Sequence, residues 1–103
     1  MIDIKIWNFN DATVRTVDLN GETYFVGIDV ASAIGYDNPA VAVMRCADSE
    51  DITVNEYIMV GGSVPVLLNQ AAVYGLIYNS RTDKAMHFKR WFTYTVLPAL
   101  RHK

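Results

Sequence analysis

Asn20-Gly21, set between two runs rich in β-branched and aromatic residues, constrains this chain more than any other pair. Both central residues of a type I′ turn need positive φ, and Asn-Gly meets that need at little steric cost. The pair predicts a hairpin that joins a strand over 13–19 to one over 24–26. Upstream, Ile2, Ile4 and Ile6 alternate with Asp3 and Lys5, the period of a half-buried strand. Asn8-Phe9-Asn10-Asp11 supplies a turn between them, so the first third reads as an antiparallel three-stranded meander.

The spacing then turns helical. A first helix is expected over 29–34, with Gly35 suited to stop it in the left-handed conformation. Asn38-Pro39 opens a second helix, Asn as cap and Pro at the first position, running to about residue 47. Segments 53–60 and 64–68, joined by Gly61-Gly62-Ser63, read as a β-hairpin in which Pro65 confines its strand to an edge or a bulge. Asn69 caps a third helix through Tyr78, and Thr82 or Asp83 starts a fourth. The apolar face of that fourth helix is Ala85, Phe88, Phe92, Thr95 and Ala99, and Pro98 should end it near Val96 or Leu97. Phe88, Phe92, Leu76 and Ile77 are the predicted core anchors. The expected class is α+β in one domain over 1–103: an N-terminal meander and a second hairpin packed with about four helices.

Several classes of function are poorly supplied. With 51% hydrophobic and 19% charged residues, the 103-residue chain has the stock for a packed core rather than for disorder. The single Cys46 excludes an intramolecular disulfide framework and a CxxC metal knuckle. The longest apolar run, 71–78, is far short of the roughly 20 residues a membrane helix needs, and Asp3 stands where a signal peptide wants a basic start. A soluble, cytoplasmic protein without membrane contact is expected. His87 and His102 accompany no nucleophile elbow or HExxH pair, and no glycine-rich loop ends in Lys-Ser or Lys-Thr. Asp48, Glu50 and Asp51 lack calcium-loop spacing and read as a solvated loop. Neither an enzyme, a cofactor nor a metal site is expected.

Charge is distributed unevenly. Residues 1–79 hold Lys5, Arg15 and Arg45 against ten carboxylates, a net −7. Residues 80–103 hold Arg81, Lys84, Lys89, Arg90, Arg101 and Lys103 against Asp83 alone, a net +5. A basic terminal segment on an acidic body suits polyanions, or else it neutralises that body within the fold.

From Val30 to Met44, apolar residues fall around Gly35 with Ala31 four before it, a spacing that resembles the helix-turn-helix pattern and also occurs in plain helix pairs. The groove-facing positions of its second helix would be Asp37, Asn38, Pro39, Ala42 and Val43, of which only Asn38 can donate to a base edge. Asn38 is needed as a cap, and Arg45 is the sole cation there. On the fourth helix, Arg90, Arg101, Tyr94 and His87 fall within about 60° of one another if the helix continues past Pro98, with Trp91 at their border. Interleaved cations and aromatics suit phosphates and stacked bases; the alternative is that Trp91 and Tyr94 pack inward while the cations stay solvated.

Two segments carry a resemblance. One is Tyr24-Phe25-Val26-Gly27-Ile28-Asp29-Val30-Ala31-Ser32-Ala33-Ile34-Gly35-Tyr36-Asp37-Asn38-Pro39; the other combines Leu67-Leu68-Asn69, Val73-Tyr74-Gly75-Leu76-Ile77-Tyr78-Asn79-Ser80-Arg81, Phe88-Lys89-Arg90-Trp91 and Val96-Leu97-Pro98-Ala99-Leu100-Arg101. In order and spacing they resemble the Bro-N domain, found at the N-terminus of baculoviral BRO proteins and of prophage antirepressors. The resemblance implies an α+β nucleic-acid-binding module of a phage or viral transcription regulator, and as binding residues Arg81, Lys89, Arg90, Trp91 and Arg101. Where the family often has basic or polar residues after Asn-Pro, this chain has Ala40, Val41 and Ala42.

Two readings follow. In the first, the chain binds DNA, double- or single-stranded, through Arg81, Lys84, Lys89, Arg90, Trp91 and Arg101, with Arg45 and Asn38 as minor contributors. In the second, it binds a repressor or another protein through an apolar surface that includes residues 40–43. A homodimer is compatible with either.

Overall fold

A computed structural model describes residues 3–101, which form a five-stranded antiparallel sheet and four helices. Strands β1 (Asp3–Phe9), β2 (Ala12–Leu19) and β3 (Glu22–Val26) make the expected meander. Asn20 and Gly21 take φ of 52° and 84°, the left-handed pair that the hairpin turn requires. Helix α1 (Gly27–Ile34) ends at Gly35, and α2 (Pro39–Cys46) follows with Asn38 as its cap. A 3₁₀ turn, Ser49–Asp51, leads into β4 (Ile52–Thr53), and β5 (Leu67–Leu68) completes the sheet in the order β1-β2-β3-β5-β4. Helix α3 (Gln70–Ser80) precedes the fourth helix, which comprises α4 (Asp83–Trp91), a π-helical turn (Phe92–Val96) and α5 (Leu97–Arg101).

Alternation along the strands divides burial between two faces. Phe9, Val14, Phe25 and Leu68 point to the helices and join Val30, Ile34, Val73, Leu76, Ile77, Phe88 and Phe92 in the main core. On the other face, Val17, Val26 and Leu67 are covered by Ile58 and Val60. Close approach also binds the helices: a Cβ at Gly75 of α3 would sit 2.8 Å from the carbonyl oxygen of Cys46 on α2, so only glycine lets the two pack as they do. Asn69 caps α3 by accepting from Ala72 N at 3.0 Å, and its amide donates to Asp51 Oδ1 at 2.9 Å.

Three expectations are corrected. The second hairpin survives only at its base, where Ile52 and Thr53 pair with Leu68 and Leu67. Beyond it, Asn55 turns the chain by accepting from Tyr57 N and Ile58 N, each at 2.9 Å, and Val60 and Ser63 close a tight turn around Gly61-Gly62. Pro65 has no N–H for a ladder, and Val66 gives its carbonyl to Gly27 N at 2.8 Å instead. Segment 54–66 therefore lies over the sheet as a loop in which Ile58 and Val60 plug the second face.

The isoleucines of β1 are not half-buried: Ile4 is 46% and Ile6 62% exposed, while Trp7 and Phe9 carry the strand's burial. The plug stops at Val17 of β2, and the helices cover β1 only at its Phe9 end. Ile2 lies outside the described residues.

Nor does Pro98 end the fourth helix, which continues to Arg101. Proline within a helix leaves one carbonyl unpaired and crowds the preceding turn. Here the π turn takes up that disturbance, with Leu97 N bonding five residues back to Phe92 O. The extra residue moves the apolar face from Phe92 to Val96 and Leu97, both buried, and leaves Thr95 and Ala99 exposed.

Candidate nucleic-acid interface

The fourth helix is held by its aromatic face. Phe92 meets Phe25 edge-on at 5.1 Å between ring centroids, and Phe88 meets Phe9 at 5.3 Å. With Ala85, Phe88 and Phe92 facing inward, Met86, His87, Arg90 and Tyr94 face solvent, and Lys89 sits at the margin. Thr82 caps the helix by accepting from Ala85 N at 3.1 Å.

Lys89 and Arg90 each lie against an exposed ring. The Lys89 ammonium is 5.3 Å from the centroid of Tyr78, and the Arg90 guanidinium is 5.3 Å from that of Tyr94. Tyr78 is 60% and Tyr94 68% exposed, so both rings keep area for a ligand. Met86, Lys89, Arg90, Thr93 and Tyr94 of the fourth helix line a cleft of about 140 Å³. Tyr74 stacks on Tyr78 at 5.9 Å, and its hydroxyl shares a 2.6 Å hydrogen bond with Thr93 Oγ1. That bond ties α3, which carries Tyr78, to the π turn, which carries Tyr94. Tyr78 escaped the sequence reading, because its partner Lys89 is eleven residues away on another helix.

The other predicted residues are dispersed. Lys84 runs its stem against Gly35, with a Cβ there meeting Lys84 Cδ at 3.2 Å, and borders a separate cleft of about 300 Å³ beside Asn10 and Asp11. Arg81 is exposed at the end of α3 with φ of 57°, a left-handed conformation usually taken by glycine or asparagine. Arg101 lies with Thr23 and Gln70 at a third cleft of about 190 Å³. The π turn rotates everything beyond it by roughly 100°, one residue's worth, which turns Arg101 away from the Arg90 surface where an unbroken helix would have put it. Trp91 is half-buried and packs on Phe9 at 5.1 Å and Phe88 at 5.4 Å, so the exposed ring beside Arg90 belongs to Tyr94. His102 and Lys103 lie outside the described residues.

On α2, Asn38 Oδ1 accepts from Val41 N at 3.3 Å, so its side chain is spent on the cap. Arg45 is exposed in the last turn, where it complements the helix dipole, and the rest of the outward face is Ala40, Val41 and Met44. Tyr36 anchors the α1–α2 link by donating to Leu76 O at 2.7 Å. Burial, with a further contribution from Cys46 3.8 Å away, pushes its hydroxyl up to about 12.

Electrostatics separate the body from the fourth helix. Arg15 is neutralised by a bidentate pair with Asp29 at 2.7 and 2.9 Å, and the carboxylate's hydrogen bond raises its already high pKa. No ion pair among the described residues involves Arg81, Lys84, Lys89, Arg90 or Arg101. The described residues hold no group of three or more His, Cys, Asp or Glu placed for a metal ion. Among them, no helix is long and apolar enough to cross a membrane.

The sequence profile of the BRO family, N-terminal domain, matches residues 13–98. The chain belongs to the BRO family. The matched span takes in the whole Tyr78–Tyr94 surface of this BRO N-terminal domain and leaves Arg101 just beyond it. The chain is also 31% identical to a protein of Haemophilus influenzae (strain ATCC 51907 / DSM 11121 / KW20 / Rd) described as an uncharacterized protein, over 97% of this chain and 51% of that relative. It thus spans about half the length of the curated relative it matches. No solved structure matches it.

Proposed function

We propose that this BRO-family domain is the nucleic-acid-binding module of a phage- or prophage-type transcription regulator, of the antirepressor kind, acting in the cytoplasm of a bacterial host. The fourth helix makes the contact. The observation that carries this reading is the pairing of two cations that form no ion pair among the described residues, Lys89 and Arg90, with two exposed rings, Tyr78 and Tyr94. The cations suit phosphates, which position a protein without reading sequence, and the rings suit bases that can stack. Arg81, Lys84 and Arg101 extend the positive field along the chain without joining that cleft. Sequence readout through α2 is minor, since Asn38 is spent and Arg45 is its lone cation.

The domain should bind weakly at physiological salt, because the −7 body repels DNA at long range. Lys89→Ala combined with Arg90→Ala should weaken binding about equally for unrelated sequences, as read by fluorescence anisotropy at low salt. Unchanged affinity in a folded double variant would leave the second reading, a protein-interaction module that binds a repressor. The exposed Val41 and Met44 on α2 favour that alternative.

A further inference from the structure

The edge strand β1 offers a surface that nucleic-acid binding does not use. Its inner side pairs with β2, and among the described residues nothing pairs with its outer side. Phe9↔Ala12 closes a two-residue turn, and hydrogen-bonded pairs alternate along an antiparallel ladder. The N–H and C=O groups of Ile4, Ile6 and Asn8 therefore point outward; the Lys5 carbonyl, which accepts from Thr16 Oγ1 at 3.5 Å, points inward. The exposed side chains of Ile4 and Ile6 lie on the loop side of the sheet, and those of Asp3 and Lys5 on the helix side.

We infer that a second copy of the chain covers this edge, β1 pairing antiparallel with β1 across a two-fold axis at Ile4. Charge complementarity selects the register. A lone lysine on an edge strand meets its own copy and blocks pairing. Here the two-fold sets Lys5 opposite the partner's Asp3 and Asp3 opposite the partner's Lys5, so one dimer holds two complementary pairs. Ile4 faces the partner's Ile4 with Ile6 on the diagonal, giving an apolar stripe across the axis on the face where both are exposed. The axis stands perpendicular to the sheet, so two five-stranded sheets become one of ten strands with both fourth helices on the same side. In this register only residues 3–5 of the described strand face one another, which buries far less than the roughly 1,200 Å² of a stable complex, so the dimer is weak.

Sedimentation equilibrium of the 103-residue chain without nucleic acid, from about 10 μM to about 1 mM, tests this. The expected result is a monomer–dimer equilibrium that Asp3→Lys weakens about tenfold and that Asp3→Lys with Lys5→Asp restores. Ile4→Pro should abolish the dimer and leave the thermal melt of the monomer in place, because the N–H it removes is not used in the β1–β2 ladder. Protection of the Ile4 amide against hydrogen exchange should rise with protein concentration. A monomer throughout, or a dimer indifferent to Ile4→Pro or to the charge exchange, would overturn the inference.

Discussion

Helix α2 and the fourth helix are anchored alike and present opposite surfaces. Each buries one face in the same core, α2 through Ala42 and Val43, the fourth through Ala85, Phe88, Phe92 and Val96. Outward, α2 shows alanine, valine and methionine with a single arginine, while the fourth helix shows Lys89, Arg90 and the Tyr94 ring, with Tyr78 of α3 lying against Lys89. Packing fixes which residues point in and leaves the outward faces free to diverge. The helix whose spacing resembles a DNA-reading motif is thus not the one that carries the cations and exposed rings on which the proposed function rests.

The most severe way to break this contrast is to loosen the fourth helix from its anchor. Phe92→Ala removes a ring 1% exposed and in contact with Phe25, Tyr74 and Phe88, and should cost about 3–5 kcal/mol in urea unfolding. A loss below about 1 kcal/mol would mean that the helix is not seated as described. On α2, Asn38→Ala should cost about 1 kcal/mol of stability through the lost cap and leave nucleic-acid affinity unchanged once folding is corrected for. If affinity fell instead, Asn38 would be a contact and the two helices would share the work.

Two smaller effects sharpen the comparison. Arg81→Gly should raise stability by roughly 0.5–1 kcal/mol, because glycine takes a φ of 57° without strain, while affinity falls only slightly through the weaker positive field. Val41→Asp with Met44→Asp should change stability by no more than about 0.5 kcal/mol. That pair should disturb nucleic-acid binding only slightly, through long-range repulsion, but should abolish binding to a protein partner that uses α2.

Local rules made much of this fold legible. Asn20-Gly21, Gly35, Asn38-Pro39, Asn69 and Thr82 each satisfy a backbone requirement that holds wherever they occur, and each marks the turn or cap found there. What sequence could not resolve depends on partners distant in the chain. Pro98 reads as a stop, yet the π turn that accommodates it is braced by Tyr74 from α3. Segment 54–66 reads as most of a hairpin, but Ile58 and Val60 instead fold it over a second sheet face. For the candidate site, the basic residues were legible as charge. The inward packing of Trp91 was one of two open alternatives, while the separation of Lys84, Arg101 and the Lys89–Arg90 pair into three clefts and the placing of Tyr78 beside Lys89 were not legible, since each follows from how α3, α4 and the π turn meet.

The most direct test of the central claim is the salt dependence of binding to duplex and single-stranded DNA, for the wild-type chain and for Lys89→Ala with Arg90→Ala. If about three to five phosphates are neutralised, log affinity for duplex should fall with log salt at a slope of roughly −3 to −4. Removing two contacts should bring that slope to roughly −1 to −2, and single strands should bind at least as well as duplex through stacking on Tyr78 and Tyr94. A double variant that is folded and keeps the full wild-type slope would contradict the assignment of the contact to the fourth helix.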